Sequence, residues 1–122
     1  MTQVVVTVEP DTTIPELVEL FKGRHISGVP VVSREGELQG VVSVSDVLRA
    51  EEGWTAIDIA TRKVVTISEK APLSEAARVL LELGIRRLVV LRGEKIAGIL
   101  TATDVLKWVA RPALEDGSDG GA

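Results

Sequence analysis

The tract Gly40–Leu48 reads GVVSVSDVL, and it returns at Gly98–Leu106 as GILTATDVL. Each version runs from an apolar strand into a hydroxyl residue, then an aspartate three positions on, then a Val-Leu pair. Upstream, Val5-Val6-Thr7-Val8 returns as Val64-Val65-Thr66-Ile67. The first tract repeats at an offset of 58 and the second at 59, so one residue is lost between them. The turn Arg34-Glu35-Gly36-Glu37, matched against Arg92-Gly93-Glu94, is the natural place for the loss. Ten positions are identical across the aligned copies. Copies of about 45 residues stand near the lower limit for independent folding, so each needs the other to cover its apolar face.

Each copy reads in the same order. Val4–Val8 is a β-branched run ended by Glu9-Pro10-Asp11. Thr12 or Thr13 then caps a helix beginning near Ile14, with Pro15 in the first turn and Glu16 three residues after Thr13. Ile14, Leu17, Val18 and Phe21 form its apolar stripe. In the second copy Pro72 opens the helix, and Leu73, Ala76, Ala77, Leu80 and Leu83 supply the stripe. Val29–Val32 and Leu88–Leu91 are nearly continuous apolar runs, as expected of strands buried on both faces. A glycine-containing turn leads to hairpin partners over Leu38–Ser43 and Ile96–Thr101. A short second helix starts around Ser45 or Thr103. The expected fold is α+β: strand, helix, strand, strand, helix, twice, packed about a pseudo-twofold axis. The boundaries read 1–50 for the first repeat, 51–62 for a lead-in helix (Trp54–Ala60), 63–110 for the second repeat and 111–122 for a disordered acidic tail.

Composition narrows the function. The chain has 122 residues and a net charge of −4, of which Glu115, Asp116 and Asp119 in the tail supply three acids. A near-neutral body does not suit nucleic acid as the main partner. No stretch approaches the roughly 20 apolar residues of a membrane span, and the N-terminus lacks a signal-peptide pattern. With no Cys and one His, a thiolate site, a disulfide and a multi-histidine metal centre are all excluded within one chain. The expected setting is cytoplasmic.

The tandem pattern resembles a CBS (cystathionine-β-synthase) domain pair, or Bateman module. It comprises VVTV, a helix, Gly28-Val-Pro-Val-Val, then Gly40…Ser43-x-x-Asp46 and Gly98…Thr101-x-x-Asp104. The resemblance covers residues 3–109, and Val89 departs from it where the first copy carries the family's proline, Pro30. It implies two clefts between the repeats that take adenosine-containing ligands, and a homodimer formed through the helices.

Asp46 and Asp104 admit two readings. In one, the carboxylate accepts hydrogen bonds from both ribose hydroxyls while Ser43 or Thr101 reaches ribose or phosphate. In the other, Ser45 and Thr103 are N-caps and the acid complements the helix dipole. Arg86 and Arg87 are the clearest asymmetry, because Ser27 and Gly28 stand at the matching positions. Val4–Leu48 holds three bases and seven acids, whereas Val64–Leu106 holds six bases and five acids. Guanidinium matches phosphate oxygens bidentately, and adjacent strand residues point opposite ways, so the pair either lies on the surface as solvated charges or turns one member to a ligand. The resemblance implies Arg87, at the family's basic position in the Thr-x-x-Asp copy, over Arg86. The resemblance implies one cleft built from Thr55, Ala60, Ile85 and Arg86 with Ser43 and Asp46. The other combines Val4, Ile26 and Ser27 with Arg87, Thr101 and Asp104. His25 reads as a helix C-cap, and Trp54 and Trp108 as either interface or monomer packing.

The function implied is a non-catalytic regulatory sensor of an adenosine nucleotide (AMP, ADP or ATP) or a relative such as S-adenosylmethionine or NAD. No catalytic residue, metal or required cofactor is assigned. The alternative is a ligand-independent dimeric module that regulates a separate enzyme or transporter by docking. An enzyme is disfavoured because the chain has no Gly-rich phosphate loop followed by Lys, and no evident base for a Ser or Asp nucleophile.

Overall fold

The structure, a computed structural model, describes residues 6–107. They divide into two compact units, the first ending at Val64 and the second starting at Val65. The expected strand over Val4–Val8 lies partly outside the described residues, as do Trp108 and the tail 111–122.

In the first unit, helix α1 (Ile14–Arg24) begins at Thr13, one of the two threonines expected there. The Thr13 hydroxyl oxygen accepts the Glu16 N–H at 3.3 Å, and Glu16 Oε1 accepts the Thr13 N–H at 2.9 Å. Two donors that the first turn would leave unmet are thereby satisfied. His25 ends the helix in the left-handed region at φ 50°, the expected C-cap. Leu17 is fully buried, and Ile14 and Phe21 pack around it with Val29, Val31, Val42 and Ala56.

The bonds from the Thr13 backbone, and then from its hydroxyl, hold the exposed Glu16 carboxyl below its ordinary value. A lowered pKa in the folded state contributes stability at pH above the unfolded value, lost as pH falls through the folded one. Glu16→Gln should therefore reduce the drop in melting temperature between pH 7 and pH 3. An unchanged drop would remove Glu16 from the acid response.

Strand β1 (Gly28–Val32) pairs antiparallel with β2 (Leu38–Ser43), which runs directly into the short helix α2 (Val44–Leu48). The second unit repeats the order with β3 (Thr66–Ser68), α4 (Leu73–Leu83), β4 (Arg87–Arg92) and β5 (Lys95–Thr101), and residues 102–107 are helical. Between the two sets lies the short helix α3 (Ala56–Ile59). Leu88, Val90, Leu100, Ala76, Leu80 and Val105 form the second core. Its sheet runs β3-β4-β5, with β3 and β4 parallel.

Two differences between the copies trace to single residues. Ser33 N–H meets Glu37 O at 2.9 Å, leaving Arg34, Glu35 and Gly36 as the loop. Arg92 pairs with Lys95, leaving only Gly93 and Glu94. The one-residue change of offset is therefore the difference between a three-residue and a two-residue hairpin, and Gly36 and Gly93 take the positive φ each requires. The second difference is Pro30 against Val89. Val89 donates to Val65 O at 3.0 Å, a bond that parallel pairing of β3 and β4 uses. Pro30 has no N–H to offer at that place. In the first unit the parallel pairing among the described residues is the bridge of Val8 to Val31, with Val8 N–H to Pro30 O at 3.0 Å and Val32 N–H to Val8 O at 2.8 Å.

Two expectations need correction. Leu83 does not join the core of α4 but stays 56% exposed. It sits in the last turn, where Gly84 at φ 61° immediately turns the chain away. The second helices also begin earlier than expected: Ser43, not Ser45, caps α2.

The expected lead-in helix narrows to α3. Its Ala56 N–H bonds Thr12 O at 2.8 Å and its Ile57 N–H bonds Pro10 O at 3.0 Å, so the segment is tied to the entry of α1. Beyond α3, Thr61 exchanges both backbone bonds with Val41, at 2.9 and 3.0 Å. This crossing needs Gly40, since a Cβ there would stand 2.7 Å from Thr61 O and 3.1 Å from Ala60 Cβ. Gly40→Ala should cost about 1–3 kcal/mol, the range for overpacking a tight site, and urea unfolding would read it. An unchanged midpoint would mean that segment 60–61 is not held there.

Candidate functional site

The residues predicted to carry chemistry gather where each hairpin hands over to its second helix. In the second unit Arg87 and Thr101 are direct partners across β4 and β5, so their side chains share one face. Leu88, Val90 and Leu100 belong to the core beside α4. Strand alternation therefore turns Arg87 and Thr101 to the opposite face. Arg87 is half-buried with its Nε shut off from solvent, whereas Arg86 is exposed and its carbonyl accepts the Ala102 N–H at 2.8 Å.

Asp104 completes the corner. Its Oδ2 accepts the Thr101 N–H at 3.1 Å, and its own N–H donates to Thr101 Oγ1 at 3.0 Å. Thr101, rather than Thr103, is thus the residue that closes the helix start. Among the described residues no cation pairs with Asp104, and its other oxygen carries no hydrogen bond. Thr101 and Asp104 are half-buried.

The first unit has the same frame with different contents. Gly28 pairs with Ser43 at the place of Arg87 and Thr101, leaving this corner without the guanidinium. Asp46 Oδ2 accepts from Ser43 N at 2.8 Å and from Ser43 Oγ at 2.9 Å, and Asp46 N–H donates back to Ser43 Oγ at 3.2 Å. Its Oδ1 accepts from Arg49 Nη2 at 2.8 Å. The acid is 8% exposed, and both of its oxygens are engaged. In both corners one carboxylate oxygen performs the cap; the second is taken by Arg49 in Asp46 and, among the described residues, carries no hydrogen bond in Asp104. Sequence reading passed over Arg49. The signal was present as Asp46-x-x-Arg49 against Asp104-x-x-Lys107, a spacing at which helical side chains meet.

The remaining predicted residues fall as follows. Thr55 is half-buried, and its N–H and hydroxyl both donate to Asp58 Oδ2, at 2.8 and 3.0 Å. Ala60 ends α3 beside Gly40. Ile26 packs on the first core, while exposed Ser27 offers its carbonyl to the Val44 N–H at 3.2 Å. Ile85 packs on the second core, and Val4 lies outside the described residues. An apolar groove of about 260 Å³ in the second unit is lined by Ile67, Leu73, Ala76, Val90 and Leu100 among others, with none of the predicted residues.

This pair of hydroxyl-x-x-acid corners on duplicated β-α-β-β-α units defines a tandem CBS-type protein. The sequence pattern of the CBS domain family matches residues 1–53 and again 56–111, and the chain belongs to that family. An uncharacterized protein of Methanocaldococcus jannaschii, MJ1225, is 31% identical over 112 residues, covering 88% of this chain and 40% of its own. The chain spans 21–40% of the length of such curated relatives. Among solved structures, CBSX2 in complex with AMP is 29% identical, with a TM-score of 0.77 and 91% of each chain covered. The CBS domain pair of MJ0100, solved with 5′-methylthioadenosine and S-adenosyl-L-methionine, shares the fold at a TM-score of 0.81. It is 23% identical, with 90% of this chain and 91% of that chain covered. Among the described residues no helix is long and apolar enough to cross a membrane.

Proposed function

We propose that this CBS domain pair is a non-catalytic regulatory module that binds an adenosine nucleotide, AMP foremost. The ribose diol sits on Asp104, with Thr101 beside it and the phosphate on Arg87. The observation that carries the reading is half-buried Asp104, one of whose carboxylate oxygens carries no hydrogen bond among the described residues, with Arg87 on the strand pair beside it. An ionised carboxylate accepts from two vicinal hydroxyls at once, and guanidinium answers phosphate. The 29% identical relative solved with AMP supports the choice of ligand. No cofactor is required in this scheme, and ligand acts by shifting the population between arrangements that bind it unequally.

Thermal melting with millimolar AMP tests the reading. Ligand a hundredfold above its Kd stabilises by about 2.7 kcal/mol, which moves the midpoint by several degrees. An unchanged midpoint with AMP, ADP, ATP and S-adenosylmethionine would end it.

A second reading, a dimeric docking module for a separate enzyme or transporter, draws on exposed apolar residues. Leu48 and Leu106 occupy equivalent positions in the two copies and are 81% and 67% exposed, and Leu81 is 83% exposed. Sedimentation should then give twice the 13.0 kDa chain mass. A monomer at all concentrations would remove dimer formation from either reading.

A further inference from the structure

We infer that Arg49 is a built-in competitor that weakens the ligand corner of the first repeat and so makes the two corners unequal. The inference rests on the adenosine reading above. The corners share their strand pairing and their hydroxyl-x-x-acid geometry, but the acid's second oxygen has a different fate in each. In the second unit it carries no hydrogen bond among the described residues. In the first it takes a charge-assisted bond from Arg49 Nη2 at 2.8 Å. A ribose diol arriving at Asp46 must displace that bond, because Oδ2 already carries the Ser43 N–H and hydroxyl. Arg49 lies one turn along α2 from the acid and is itself 72% exposed, so it can swing out into water. The plug is therefore removable and graded. Lys107 takes the matching place after Asp104, and among the described residues no ion pair joins the two, so the second corner lacks this plug.

Arg49 could instead be read as a phosphate ligand, so the probe must separate the two roles. Adenosine does so, being uncharged. Two chains should be titrated by calorimetry: Asp104→Ala, in which only the Asp46 corner remains, and Asp104→Ala combined with Arg49→Gln. The glutamine should tighten adenosine by up to about fivefold, since an ion pair with one exposed partner is a modest competitor. Raising salt should also tighten adenosine in the chain that retains Arg49 and leave the glutamine variant unchanged, because salt screens the competing pair.

Equal adenosine affinity in the two chains would overturn the inference. So would AMP binding that weakens on Arg49→Gln while adenosine is unaffected, which makes Arg49 a phosphate ligand. The ligand reading itself fails separately, if neither adenosine nor AMP at millimolar concentration binds the wild-type chain. Wild-type chain filling both corners with equal affinity would sink the inference and leave the sensor reading standing.

Discussion

Asp104→Ala is expected to weaken AMP binding about a hundredfold. Each hydrogen bond to an ionised group contributes about 1.5–3 kcal/mol, and the carboxylate is assigned two from the ribose diol. Loss of both, partly replaced by water, leaves a deficit near 3 kcal/mol, and about 1.4 kcal/mol is tenfold in Kd. The same substitution removes the acceptor for the Thr101 N–H, so the unliganded protein also melts lower, by about 1 kcal/mol on the scale of lost caps. Affinity should therefore be read by calorimetry and not inferred from the melt alone. Asp104→Asn separates the two effects: the amide oxygen can still accept from Thr101, while the negative charge is gone. It should retain most of the unliganded stability and still bind AMP weakly. Asp104→Ala with full affinity would take the ribose away from this corner. Asp46→Ala, by contrast, should change the stronger site little.

The largest loss of stability is expected for Leu17→Ala. Leu17 is fully buried at the centre of the first core, held by α1 against Val29, Val31, Val42 and Ala56. Truncating a buried leucine costs about 2–5 kcal/mol, transfer and cavity combined. That is a large part of what an ordinary domain possesses, about 5–15 kcal/mol. Leu81→Ala, at 83% exposure on α4, should be within about 0.5 kcal/mol of wild type. Chemical denaturation of the two variants side by side checks the placement of both helices. Similar losses for the two would contradict it.

Much of this was legible in the residues. The repeat is plain in Gly40–Leu48 against Gly98–Leu106, and the lost residue falls in the hairpin turn, where a three-residue loop becomes a two-residue one. A cap at Thr12 or Thr13, Glu16, Pro72 and the buried strand runs are readable because capping and strand burial are local signals. The starts of the second helices were not. Ser43 and Thr101 end their strands and cap the next helix at once, so strand propensity hid the cap, and Ser45 and Thr103 looked equally able. Leu83 has the spacing of a core residue, but spacing does not say where the partner layer stops. The Arg49–Asp46 pair was written in the sequence as an i, i+3 spacing, yet only coordinates show which carboxylate oxygen it takes. Two corners that look alike in sequence thus differ in what they leave open.

A ¹⁵N-amide NMR titration with AMP reaches the central claim most directly. The Thr101 and Asp104 N–H groups should shift in a saturable way at the lowest ligand concentrations, with Ser43 and Asp46 responding only later. Saturable binding that leaves Thr101 and Asp104 still, while amides elsewhere move, would contradict the account.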